Sequence, residues 1–170
     1  MLDLNNCITL LKQQAQAIHH LLADVSAAQA RWKPDAASWS ILEVLNHLYD
    51  EEREDFRLKL KHLLDKLPGL PPENDPQGWV TQRHYNQRDL DTSLAQFLQE
   101  RENSLRWLQS LTAPDWDAAL VFDMGKLSAG DLLASWVAHD LLHQRQLVEL
   151  RYLYLLHQFQ PYGVGYAGDW

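Results

Sequence analysis

His139 and His143 stand four residues apart in the segment VAHDLLHQRQLVEL (Val137 to Leu150), with Gln146 three residues further on. Four residues correspond to about 6 Å of helical rise and slightly more than one turn, so both imidazoles leave one helix face. Trp136, Leu147 and Leu150 share that face, which gives it the character of a buried stripe. In a second segment, ILEVLNHLYDEE, His47 lies beside Val44 and Leu48 on the apolar side. Three neutral imidazoles on rigid helices form a facial ligand set for a divalent metal, with further positions left to water or substrate. A buried imidazole without a partner is costly, and one ion would satisfy three lone pairs together. Spacing alone leaves a second reading open, in which each is a core histidine bonded to a neighbour.

Other residues gather around this set. Glu51 follows His47 by one turn and points the same way, where it is placed to touch a metal's water or to act as a base. Gln146 follows His143 by one turn, suited to a hydrogen bond that orients a ligand or a water. Asp50 and Glu52 belong to the run DEERED, and such a run reads as a solvated face. Asp140 lies 100° around the helix from His139, facing outward or towards a neighbouring helix.

Competing motifs fall away on inspection. HDLLH lacks the glutamate that H-E-x-x-H needs as general base, so zinc-protease chemistry is not expected. No glutamate is followed three residues later by histidine, which excludes the ferritin-like di-iron pattern. GVGYAG near the C-terminus has the letters of G-x-G-x-x-G, but it follows a helical pattern and has no βαβ context. His19, His20, His62 and His157 read as partly exposed helix positions, and His84 as a loop residue.

Four amphipathic segments must position these groups. The periodicity predicts helices over about 4–29, 40–67, 90–111 and 128–158. Ser40 with Glu43, and Ser128 with Asp131, have the spacing of capping boxes that open the second and fourth. Only Ala119 to Phe122 suggests a short extended piece. A single domain over 1–170 is expected, all-α and built as a four-helix bundle. The link PGLPPENDPQGWVTQRHYNQ is far longer than a helical hairpin needs. It can travel the length of the bundle, which makes the second and third helices parallel and the order up-down-down-up. The second and fourth helices then run antiparallel, so His47 can meet His139 and His143.

Composition bounds the partners. The 170 residues carry a formal net charge of −8, with 46% apolar and 22% charged residues. An acidic surface repels phosphate backbones and anionic lipid heads, so neither nucleic acid nor membrane is expected as a partner. Cys7 is the only cysteine, which rules out an internal disulfide and fits a reducing compartment. The N-terminus lacks the pattern of a signal peptide and no run is long enough to span a bilayer, so a soluble cytoplasmic protein is expected.

WSILEVLNHLYDEE, KLSAGDLLASWVAHDLLHQRQ and the long crossover together resemble the DinB family (DinB/YfiT-like) of metal-binding four-helix bundles. The likeness covers nearly the whole chain and is weakest in the crossover and the tail. It implies a divalent metal, commonly nickel or zinc, on His47, His139 and His143, with Gln146 matching a frequent family glutamine. It also implies a small-molecule substrate and possible pairing as a homodimer. Family activities include thiol-dependent S-transfer and maleylpyruvate isomerisation with low-molecular-weight thiols such as bacillithiol or mycothiol. Hydrolysis would use the same parts, with Glu51 moving protons. Two further classes stay open at this point: a non-enzymatic metal- or ligand-binding protein tied to stress, and a helical interaction module.

Overall fold

Helix α1 (Leu4–Leu22) opens where the Asp3 carboxylate accepts from the Asn6 N–H, as an N-cap should. It stops short of the expected 29. The chain turns at 23–26, and Ser26 caps a separate short helix, α2 (Ala27–Arg31). Val25 stays buried from within the turn, so the apolar spacing runs on through a break in the backbone.

The Ser40–Glu43 capping box is present in full, and it opens α3 (Ile41–Glu51). The predicted helix over 40–67 is interrupted by a π-helical turn, Glu52–Phe56, before α4 (Arg57–Leu64). A widened turn re-aims the side chains that follow it, and here it accompanies the burial of Glu52, Asp55 and Phe56. The crossover is not purely irregular either. Asp75 caps α5 (Pro76–Gln82), which has proline in its first turn, and a 3₁₀ turn covers Tyr85–Gln87. Asp89 caps α6 (Leu90–Ser110). Strand β1 (Ala119–Phe122) pairs antiparallel with β2 (Gly125–Ser128), a partner the sequence did not suggest. Helix α7 (Ala129–Phe159) starts from the Ser128–Asp131 capping box. The computed structural model describes residues 2–122 and 125–168; Asp169 and Trp170 of the aromatic tail lie outside them.

Interhelical bonds give the directions. Asn46 bonds Ser93 and Arg57 bonds Glu100 and Ser104, so α3–α4 and α6 ascend together and are parallel. Gln14 bonds the Val137 carbonyl and Arg151 pairs with Asp24, so α1 and α7 are also parallel. His47 beside His143 and Phe56 beside Trp136 set α3 and its π turn antiparallel to α7. The bundle is therefore up-down-down-up, as expected from the length of the crossover.

Two apolar clusters fill it. One contains Ile18, Leu22, Val44, Leu48, Phe97 and Leu147; the other contains Leu11, Phe56, Leu60, Leu105, Leu133 and Trp136. Between them in sequence, on every long helix, lies a polar belt. The Arg101 guanidinium bonds both Glu52 and Asp140 and reaches the Leu11 carbonyl. The indole N–H of Trp136 donates to Glu52. The reading of DEERED as a solvated face is thus corrected: Asp50, Glu51, Glu52 and Asp55 are buried, Asp50 and Glu52 against Arg83 and Arg101 from distant elements, Asp55 against Lys59 one turn on, and Glu51 beside His47 and His139. Asp140 faces α6 rather than solvent. His62 is buried too, its Nε2 at 2.9 Å from the Gly69 carbonyl oxygen. Among the described residues no helix is long and apolar enough to cross a membrane.

Candidate metal centre

The belt opens to solvent between α3 and α7, and the three histidines stand at that opening. His47 comes from the second turn of α3; His139 and His143 come from the middle of α7. One nitrogen from each ring lies within 4.8 Å of the others. The closest approach is 3.1 Å, between the Nε2 atoms of His139 and His143. Two nitrogens about 2.1 Å from a shared zinc ion lie about 3 Å apart at a right angle and about 3.4 Å apart at the tetrahedral angle. The observed spacing fits such a centre.

The bonds around the rings fix which nitrogens can serve. His143 Nδ1 is 2.8 Å from Gln146 Oε1. An amide oxygen only accepts, so Nδ1 carries the proton and Nε2 presents a lone pair to the centre. His47 Nδ1 is buried without a hydrogen bond of normal geometry, although the Pro76 carbonyl is near enough to favour a proton on the ring. Such a nitrogen becomes useful when Nε2 coordinates and Nδ1 keeps its hydrogen.

Burial sets the charge state of all three. It drives His47 down to about 4, helped by His143 and opposed by the Pro76 carbonyl and Asp50. His139 is driven to about 3, by burial first and then by His143, His47 and Arg101. His143 is lowered by burial against the pull of its Gln146 bond. The rings are therefore neutral at pH 7, the form a metal requires.

Glu51 joins the group. Its carboxylate oxygens lie 3.5 Å from His139 Nε2 and 3.9 Å from His47 Nε2. Burial raises its pKa to about 7, with Asp55 adding to the rise and Lys59 opposing it. Glu51 and Gln146 thus stand where the sequence places them, beside the histidines. What the sequence did not offer is the enclosure. Trp39, from the loop before α3, packs against His47 at 4.9 Å between ring centres and lies parallel to His143 at 6.4 Å. Phe56 closes the side of His139 at 5.0 Å. Above the rings is a cavity of about 750 Å³, walled by Trp39, Pro76, Gln77, Leu150 and Leu153. The supporting layer of Glu52, Arg101 and Asp140 was also unforeseen. A signal did exist for Arg101, which falls four residues after Phe97 and four before Leu105 on the buried stripe of α6.

Comparison with known proteins agrees with this architecture. Residues 10–147 match the sequence profile of the family described as the DinB superfamily. No curated protein matches the chain. Among solved structures, YfiT from Bacillus subtilis superposes with a TM-score of 0.75 at 17% identity, over 86% of this chain and 85% of that one. That protein is described as "a probable metal-dependent hydrolase with an unusual four-helix bundle topology". At this identity the likeness shows the fold.

Proposed function

The chain belongs to the DinB superfamily, and from that premise we propose that it is a metal-dependent enzyme that hydrolyses a small molecule. His47, His139 and His143 hold one divalent cation, zinc or nickel, and Glu51 is the general base. The observation that carries this reading is the convergence of three neutral imidazoles within 4.8 Å at the floor of a cavity, with a carboxylate beside them. The description of YfiT as a metal-dependent hydrolase supports it.

When bound, such an ion supplies Lewis acidity, acidifying a water and polarising a substrate oxygen. Three protein ligands leave a coordination position open, the usual mark of a catalytic rather than a structural site. The chain's own residues do the rest. Glu51 takes the proton of the attacking water and returns it to the leaving group. Gln146 holds the His143 ring in one orientation. Trp39 and Phe56 shield the rings from bulk water on two sides.

A low-molecular-weight thiol is the alternative nucleophile. The cavity of about 750 Å³ has room for a small thiol beside a substrate. The deciding experiment sets metal-reconstituted protein against ester, amide and lactone hydrolysis and against thiol transfer, with Glu51→Gln and His139→Ala as controls. Hydrolysis lost in both variants supports the reading. Thiol transfer without hydrolysis replaces it with the alternative. Full metal content without turnover in either panel leaves a metal-binding protein.

A further inference from the structure

We propose that the cavity selects a substrate whose far end carries a positive charge, an amine above all, and that Glu149 is the residue that reads it. The inference rests on the reading above, in which the histidines hold the metal and the scissile group meets it. It concerns the other end of the substrate.

The column His139, His143, Gln146, Glu149, Leu150 and Leu153 forms the α7 wall of the cavity. Glu149 is six residues past His143, about 9 Å along the helix axis. Its carboxylate therefore stands at the rim while the histidines hold the floor. Apart from the imidazoles, the ionisable side chains lining the cavity are Glu51 and Glu149. Among the described residues no lysine or arginine lines it. Lys33, next to the wall residue Pro34, is engaged by Glu43 at 2.8 Å.

Some surface carboxylates of this fold are already engaged by a cation. Asp24, Glu54, Glu100 and Asp115 each hold an arginine or lysine. Glu149 is exposed, and among the described residues it forms no ion pair, not even with Arg145 one turn before it. A carboxylate left unpaired at the mouth of a cavity attracts a cation and repels an anion. Facing α7, Trp39 offers an aromatic surface, on which a cationic or aryl body can stack. Leu150, Leu153 and Pro76 supply an apolar sleeve between the two ends. The net charge of −8 acts in the same direction on approach.

The test uses zinc-loaded protein with its zinc content measured first. Three linear hydroxamates of equal length share one zinc-binding head and end in an ammonium, a methyl or a carboxylate group; their binding is followed by titration calorimetry. The ammonium compound is expected to bind about tenfold more tightly than the carboxylate compound, as for an attractive against a repulsive partly exposed pair. Glu149→Gln removes that advantage and leaves the methyl compound unchanged. Equal binding of all three, tighter binding of the carboxylate compound, or an ammonium preference that survives Glu149→Gln overturns the proposal while the metal reading stands. Protein that takes up no zinc strikes the metal reading itself.

Discussion

The Nε2 atoms of His139 and His143 face each other across 3.1 Å. Without a metal only one of them can donate to the other, and Gln146 already fixes the proton of His143 on Nδ1. One turn of α7 supplies the pair; the third ring comes from α3 because the long crossover makes that helix antiparallel to α7. The site is thus a product of topology as much as of residue type. It is a gap in a polar belt whose buried carboxylates, Glu52 and Asp140, are bridged by Arg101.

Glu51→Gln separates binding from chemistry. Metal content should remain at the wild-type level, because the three imidazoles are untouched, while hydrolytic turnover falls by about 10²–10⁴. The variant should also change the protons released on metal binding. At pH 7 the histidines are neutral, whereas a carboxyl with a pKa of about 7 is half protonated. An incoming cation favours the carboxylate. Calorimetry in buffers of different ionisation enthalpy should show release lower by about half a proton in the variant. Equal release would remove Glu51 from the centre.

Arg101→Met leaves Glu52 and Asp140 buried without their cation. Burial already raises the Asp140 pKa against the pull of Arg101, with Glu52 adding to the rise. Breaking such a cluster costs about 3–5 kcal/mol. Urea unfolding should show a loss of that size, and Arg101→Lys should recover only part of it, since an ammonium cannot make the paired bonds of the guanidinium fork. Wild-type stability in Arg101→Met would refute the account of the belt.

The metal-free protein should lose stability on acidification. His47 and His139 titrate near 4 and 3 in the folded chain against 6.5 for an unperturbed histidine. As pH falls from about 6.5 towards 4, the unfolded chain takes up protons that the native chain refuses, so stability falls. Glu51 acts in the opposite sense. Its raised pKa of about 7, against 4.5, makes its contribution greatest below 4.5 and lost as pH rises through 7. Two rings outweigh one carboxyl. Melting temperature should therefore drop between pH 6.5 and 4.5, and drop more steeply in Glu51→Gln. A shallower slope in that variant would contradict the assignment.

Much of this was legible in local sequence. The four-residue spacing of His139 and His143, the capping boxes at Ser40 and Ser128 and the length of the crossover are short-range features, and they suffice for the bundle, its order and the histidine set. The rest depends on partners distant in the chain. Glu52 looks solvated beside Glu51 and Arg53; its cation is Arg101, and nothing near residue 52 announces it. The break after Leu22 is masked by Val25, which keeps the apolar rhythm. A π turn leaves no residue signature of its own, and β2 is too short and too polar to show alternation. The enclosure by Trp39 required knowing where a loop lies.

Metal content of native, untagged protein is the most direct test of the central claim. Purified without added metal and analysed by inductively coupled plasma mass spectrometry, the wild type should carry one zinc or nickel ion per chain. His139→Ala should carry none while keeping its helical circular dichroism. A wild type free of bound divalent metal that also takes none up on dialysis, or a His139→Ala protein that retains a full equivalent, would contradict it.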